Sequence, residues 1–151
     1  MPINRGVRQA ASVSKLQMFD AMTLPAGLIV LVSGVWLIVL AIMSVARPET
    51  VKSFFAKFAS SSFAHFLEMF VRLIVGAAFV IYADKMKFPI IFTSFGWLLI
   101  VTTAVLTFVP WKLHNKFAER SLPMLYRWMP FFSLVSFLGG SFIFYTYFAA
   151  V

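Results

Sequence analysis

Residues 88–111, FPIIFTSFGWLLIVTTAVLTFVPW, run for 24 positions without Asp, Glu, Lys, Arg or His. At about 1.5 Å per residue, a helix of that length covers the roughly 30 Å hydrocarbon core of a bilayer. Lipid offers the backbone no water, so each amide must be satisfied within the segment, which a helix does and an open strand does not. A second run, between Asp20 and Arg47, holds 26 uncharged residues, including GLIVLVSGVWLIVLAIMSVA. Over the 151 residues, 62% are hydrophobic and 12% charged, against about 45–50% and 25% in ordinary soluble domains. A chain this short cannot hide that much apolar surface in one water-soluble core. The expected fold class is all-α: an integral membrane four-helix bundle.

In chain order, residues 1–21 form a basic N-terminal tail (Arg5, Arg8, Lys15), and 22–151 form a four-span membrane domain with spans at about 22–46, 66–83, 88–110 and 130–149. Ser44-Val45-Ala46 has the small-x-small look of a signal-peptide cleavage site, but the apolar run before it far exceeds the 7–15 residues of an h-region, so the first span is expected to be retained. Pro48 ends the first helix and suits the first turn of another. The segment after it, ETVKSFFAKFASSSFAHF, reads either as an interfacial helix with Phe54, Phe55 and Phe58 in the acyl boundary or as an apolar loop packed on the bundle. Asp84, Lys85 and Lys87 mark an aqueous turn so short that spans two and three must form an antiparallel hairpin. Trp111 and Trp128 flank the second basic connector as interfacial anchors. Cysteine is absent, which removes disulfides and thiolate sites from consideration.

The two halves resemble each other. Trp36 and Trp97 lie 61 positions apart in matching contexts, Pro48, Phe55 and Ala56 match Pro110, Phe117 and Ala118 at 62, and Gly76 and Tyr82 match Gly139 and Tyr145 at 63. The expected arrangement is two tandem helical-hairpin repeats. The pattern GWLLIV, a following proline, a basic connector and a glycine-containing apolar helix resembles small uncharacterised bacterial inner-membrane proteins built from repeated two-helix units. That resemblance implies a multi-pass protein of the bacterial inner (plasma) membrane, with no activity attached. Eight cations on the connectors against five on the opposite side favour cytoplasmic connectors with both termini outside.

Glu68 and Arg72, four apart in the second span, share a helix face in the better orientation for an ion pair, and His65 precedes them by one turn. Ionisable residues at that depth suggest a polar site, for a lipid phosphate or for coupling an ion. They also fit a structural salt bridge that orients the helix. Gly139-Gly140-Ser141 allows another helix to approach closely, with span two or a separate protein as the partner. His65 and Glu68 are too few to hold a metal, and no phosphate loop or nucleophile triad occurs, so no cofactor, metal or catalytic residue is expected and the chain is read as a non-enzyme. The net charge of +8 would suggest nucleic acid in a soluble domain. Here the cations flank apolar spans, so the expected contacts are anionic lipid headgroups at Lys52, Lys57, Lys112, Lys116, Arg120 and Arg127. The leading expectation is an accessory or scaffold subunit of a larger membrane complex, or an anionic-lipid-binding protein. The alternative is a small oligomeric transporter using the Glu68/Arg72 pair.

Overall fold

The computed structural model describes residues 3–59, 62–108, 116, 120 and 123–149, with side chains from residue 21 onward except at 58 and 59. Within them the chain forms α1 (Ile3–Ala46), α2 (Pro48–Ala59), α3 (Ser62–Tyr82), a 3₁₀ turn (Ala83–Lys85), α4 (Pro89–Thr107) and α5 (Met129–Phe148). Residues 123–127 are also helical, and no strand occurs among the described residues. Among the described residues four stretches are long and apolar enough to cross a membrane: Ala21–Ala46, Ser62–Lys85, Pro89–Thr107 and Met129–Phe148. This is the architecture of a multi-pass membrane protein. Large apolar side chains such as Leu24, Ile90, Phe63, Phe66 and Phe131 are mostly exposed around the bundle. Water would not tolerate an apolar surface of that extent on a monomer, whereas acyl chains solvate it.

The basic segment before the first span continues into it as one helix from Ile3. Its Arg, Gln, Ala, Lys, Leu and Met are good helix formers, and no proline interrupts it before Pro25. Pro25 lies inside α1, where it forgoes the bond an ordinary residue would make to the Ala21 carbonyl. α3 begins at Ser62, one turn before the span expected at 66, so His65 and Glu68 sit within the helix rather than at its start. Trp111, Lys112 and His114 lie outside the described residues.

The helices associate as two antiparallel pairs. In α3–α4, Gly76 faces Gly96 and the Phe79 ring stacks on Phe92 at 5.7 Å. In α1–α5, Gly34 faces Gly140 and Ile143, and the Ser133 hydroxyl donates to the Ala41 carbonyl at 2.8 Å. Small residues recur every seventh position on both partners (Gly27, Gly34 and Ala41 on α1; Ser133 and Gly140 on α5), bringing the backbones close where lipid gives no hydrophobic drive to associate. Within the chain, the partner of the Gly139-Gly140-Ser141 stretch is therefore α1 rather than span two. Its α1 counterpart is spaced by sevens through a Leu/Val/Ile-rich run, a pattern visible only once the two helices are paired.

The two pairs join at the hairpin end. Ala26 and Val30 of α1, Ala78 and Phe79 of α3, Ala83, Met86, Phe92 and Ile143 form the buried core, with Tyr82 stacked on Tyr147 at 5.1 Å beside it. The hairpin is latched to α5: the Lys87 backbone N–H donates to the Thr146 carbonyl at 3.3 Å, and Lys87 Nζ donates to the Tyr145 hydroxyl at 2.7 Å. At the opposite end α2 is a helix packed on the bundle, a mixture of the two expected readings. Val51 is buried, Phe54 meets Trp36, Phe55 meets Phe132 edge-on at 5.9 Å, and the Tyr126 hydroxyl donates to the Lys52 carbonyl.

Ser133→Ala removes the bond from α5 to the Ala41 carbonyl. Interhelical bonds of this kind in membranes average about 0.6 kcal/mol, because the separated helices find other partners. A thermal melt in detergent should therefore show a small loss of stability with α1–α5 pairing retained. A loss as large as that of a helix-crossing glycine would refute a packing-dominated interface.

Candidate functional site

α3 carries the ionisable residues that the sequence singles out. Arg72 Nη2 lies 2.9 Å from Glu68 Oε1, and both side chains keep about a third of their surface exposed (38% and 32%). The pair thus exists as the i,i+4 spacing anticipates. His65 is placed differently: it is buried, with its ring 5.8 Å from that of Phe66. One helical turn separates it from Glu68, yet it belongs to the buried set with Met69 and Gly76. Among the described residues no group of three or more His, Cys, Asp or Glu could hold a metal ion.

The expected headgroup contacts divide. Lys52 is engaged on α2, 2.7 Å from Glu49 Oε1 and 5.6 Å from the centre of the Tyr126 ring. Lys57, Lys116, Arg120 and Arg127 are exposed. With Arg47 also exposed, these cations belong to the segments that join the spans at the α2 end of the bundle.

A feature that sequence reasoning did not find lies beside the ion pair. All four spanning helices enclose an apolar groove of about 570 Å³, floored by residues such as Leu37, Val75, Phe79 and Ile143. That volume falls within the roughly 300–1,000 Å³ range of ligand sites. One end is shut by aromatic rings: Phe88 and Phe92 of the α4 end both stack on Phe142 of α5, at 6.1 and 5.7 Å. Val32, Trp36, Val71, Ile91 and Phe95 line the groove and are each about half exposed, so its mouth faces sideways into the acyl region. Among the described wall residues only Ser33 bears a hydroxyl, and its Oγ donates to the Ile29 carbonyl at 2.8 Å. The same back-bonding occupies Thr102, Thr103 and Thr146, hiding their hydroxyls from hydrocarbon. Along α3, Glu68 lies one turn from Val71 and Arg72 one turn from Val75. The ion pair therefore shares the face of α3 that lines the groove, toward the end opposite the phenylalanine stack, although neither side chain lines the groove itself.

The groove left no trace in the sequence because its phenylalanines and valines are the residue types that also face lipid. α4 and α5 are apolar all round, so periodicity marks no inner face. An apolar chamber with a guanidinium and a carboxylate toward one end suits an amphiphile: an apolar body with a charged head. No protein-family model, no curated protein and no solved structure matches the chain.

Proposed function

We propose that this protein is a non-enzymatic accessory component of a bacterial inner membrane, whose basic connector face binds anionic lipid headgroups and presents the bundle to a larger complex. The observation that carries the lipid part is the set of exposed cations on the segments at the α2 end, Arg47, Lys57, Lys116, Arg120 and Arg127, against one exposed acid among the described residues of those segments, Glu49. Each such cation near an anionic leaflet contributes about 1 kcal/mol of attraction. By the positive-inside preference, that face is the cytoplasmic one.

Two glycine crossings support the tandem-repeat reading. The first spanning helix of each half crosses a glycine of the other half, Gly34 at Gly140 and Gly96 at Gly76, with Gly34 two residues before Trp36 and Gly96 one before Trp97. Under such a repeat the α1–α5 and α3–α4 pairs are related to each other. The groove lies where α4 and α5 meet through phenylalanine rings rather than through a glycine crossing.

Substituting Lys57, Lys116, Arg120 and Arg127 together by glutamine tests the lipid reading. Phosphatidylglycerol should stabilise the wild-type protein to heat more than phosphatidylcholine, the difference should shrink in high salt as screening predicts, and the fourfold variant should lose most of it. An unchanged difference would refute the headgroup reading. Native size in mild detergent tests the accessory reading: co-migration with a larger assembly is the expected outcome, and a lone monomer would count against it. The alternative, a small transporter, rests on the ion pair inside a span; it requires Glu68→Gln to abolish a flux that proteoliposomes can measure.

A further inference from the structure

We infer that the groove between the four helices is a binding site for one anionic phospholipid, with an acyl chain in the chamber and the phosphate at Arg72. This rests on the basic-face reading and gives it a defined site. The chamber is apolar, opens sideways at mid-span through Val32, Trp36, Val71, Ile91 and Phe95, and is closed at its far end by the rings of Phe88, Phe92 and Phe142. From Val71 to Phe79 the α3 wall rises about 12 Å, a length suited to the inner part of a single chain lying along the membrane normal. A protein helix, with an overall diameter of about 10–12 Å, is too thick for a chamber of 570 Å³ that is blocked at one end.

The head is specified at the other end. The guanidinium has five N–H donors in a fork that matches phosphate, and the contact with Glu68 is made by Nη2, so donors remain for a phosphate oxygen. Arg72 lies within the span and reaches upward along its own stem, as long cationic side chains do in bilayers. Glu68 holds the guanidinium when no lipid is bound. The surplus charge of the surrounding connectors, seven cations at 47, 52, 57, 112, 116, 120 and 127 against two acids at 49 and 119, favours an anionic head over a zwitterionic one.

Gly139 makes the site testable without breaking the fold. It lines the groove, and a Cβ there would meet only Leu37 Cδ1, at 3.6 Å, an ordinary contact. Gly139→Leu should therefore fill the chamber while leaving the α1–α5 crossing at Gly140 intact. Should that variant fail to fold, Val71→Trp fills the same space from the exposed mouth on α3.

The experiment is native mass spectrometry of the full chain, incubated with phosphatidylglycerol or with phosphatidylcholine of identical chains. The wild type should retain one phosphatidylglycerol in preference to phosphatidylcholine. Arg72→Gln should lower that preference about fivefold, the effect of one cationic residue at a lipid surface. Gly139→Leu or Val71→Trp should abolish retention of both lipids. Equal retention of the two lipids by the wild type, retention unaffected by filling the chamber, or a second copy of the chain bound in place of lipid would each overturn the inference. Retention that survives Gly139→Leu, while the four-glutamine variant still weakens stabilisation by phosphatidylglycerol, overturns the groove and leaves the basic-face reading standing.

Discussion

Gly96→Leu is expected to abolish accumulation of folded protein. A Cβ at Gly96 would sit 2.6 Å from the Gly76 carbonyl oxygen, 2.7 Å from Val80 Cγ2 and 3.0 Å from the Val80 backbone nitrogen. Two of these three are backbone atoms, which cannot swing aside as the end of a flexible side chain can. Relief requires α3 and α4 to separate along their crossing, and that opens the Phe79–Phe92 stack in the buried core. Overpacking a well-fitted interior costs about 1–3 kcal/mol when side chains can adjust. Here the backbones themselves must part, so the cost approaches the roughly 5–15 kcal/mol that holds a typical domain folded. Gly140→Leu should fail for the same reason, with the Gly34 carbonyl oxygen at 2.8 Å from the added Cβ. Gly139→Ala, one residue away and facing open space, should be neutral or slightly stabilising, since alanine is the better helix former. Detergent-solubilised yield and melting temperature of the three variants provide the check. Equal behaviour of Gly139 and Gly140 variants would mean that α1 and α5 do not cross where the structure has them.

That contrast also shows which parts of the fold the sequence made legible. The spans around Trp36 and Trp97 were readable because hydrocarbon imposes length and charge exclusion on any crossing helix, whatever it packs against. The antiparallel α3–α4 hairpin was readable because the polar turn at Asp84–Lys87 is too short to allow anything else. The Glu68–Arg72 pair was readable because it is local, set by four-residue spacing on one helix. The pairing of α1 with α5 was not: Gly140 announces a close neighbour but carries nothing that names it. The burial of His65 was not legible for a related reason. One turn from Glu68 on the same helix, it falls among the buried residues, and that boundary depends on what packs against α3 rather than on spacing along it. The groove was least legible of all. Phe79, Phe92 and Phe142 differ from lipid-facing phenylalanines only in what stands opposite them.

The Glu68–Arg72 pair should behave as an arrangement that is costly to break and inexpensive to delete. Removing one partner leaves a lone charge within the span, and a charged side chain at a helix centre costs about 2.5–3.5 kcal/mol on insertion scales. The exposed third of each side chain, and the reach of arginine toward the headgroups, bring the penalty below that range. Glu68→Leu should be the worse single change, because a guanidinium cannot shed its proton to escape hydrocarbon. Replacing both by leucine removes both charges together with their desolvation, and such double replacements are often neutral or stabilising. The expected order of melting temperature in a neutral detergent is Glu68→Leu lowest, Arg72→Leu intermediate, and the double variant level with the wild type or above it. A double variant that melts lower than either single change would mean that the pair contributes net stability and serves to set the rotation of α3. With the expected order, stability does not account for keeping two ionisable groups inside a span. Their role would then be what they bind, and the folded double variant, with its groove intact and its guanidinium gone, should have lost the preference for phosphatidylglycerol over phosphatidylcholine.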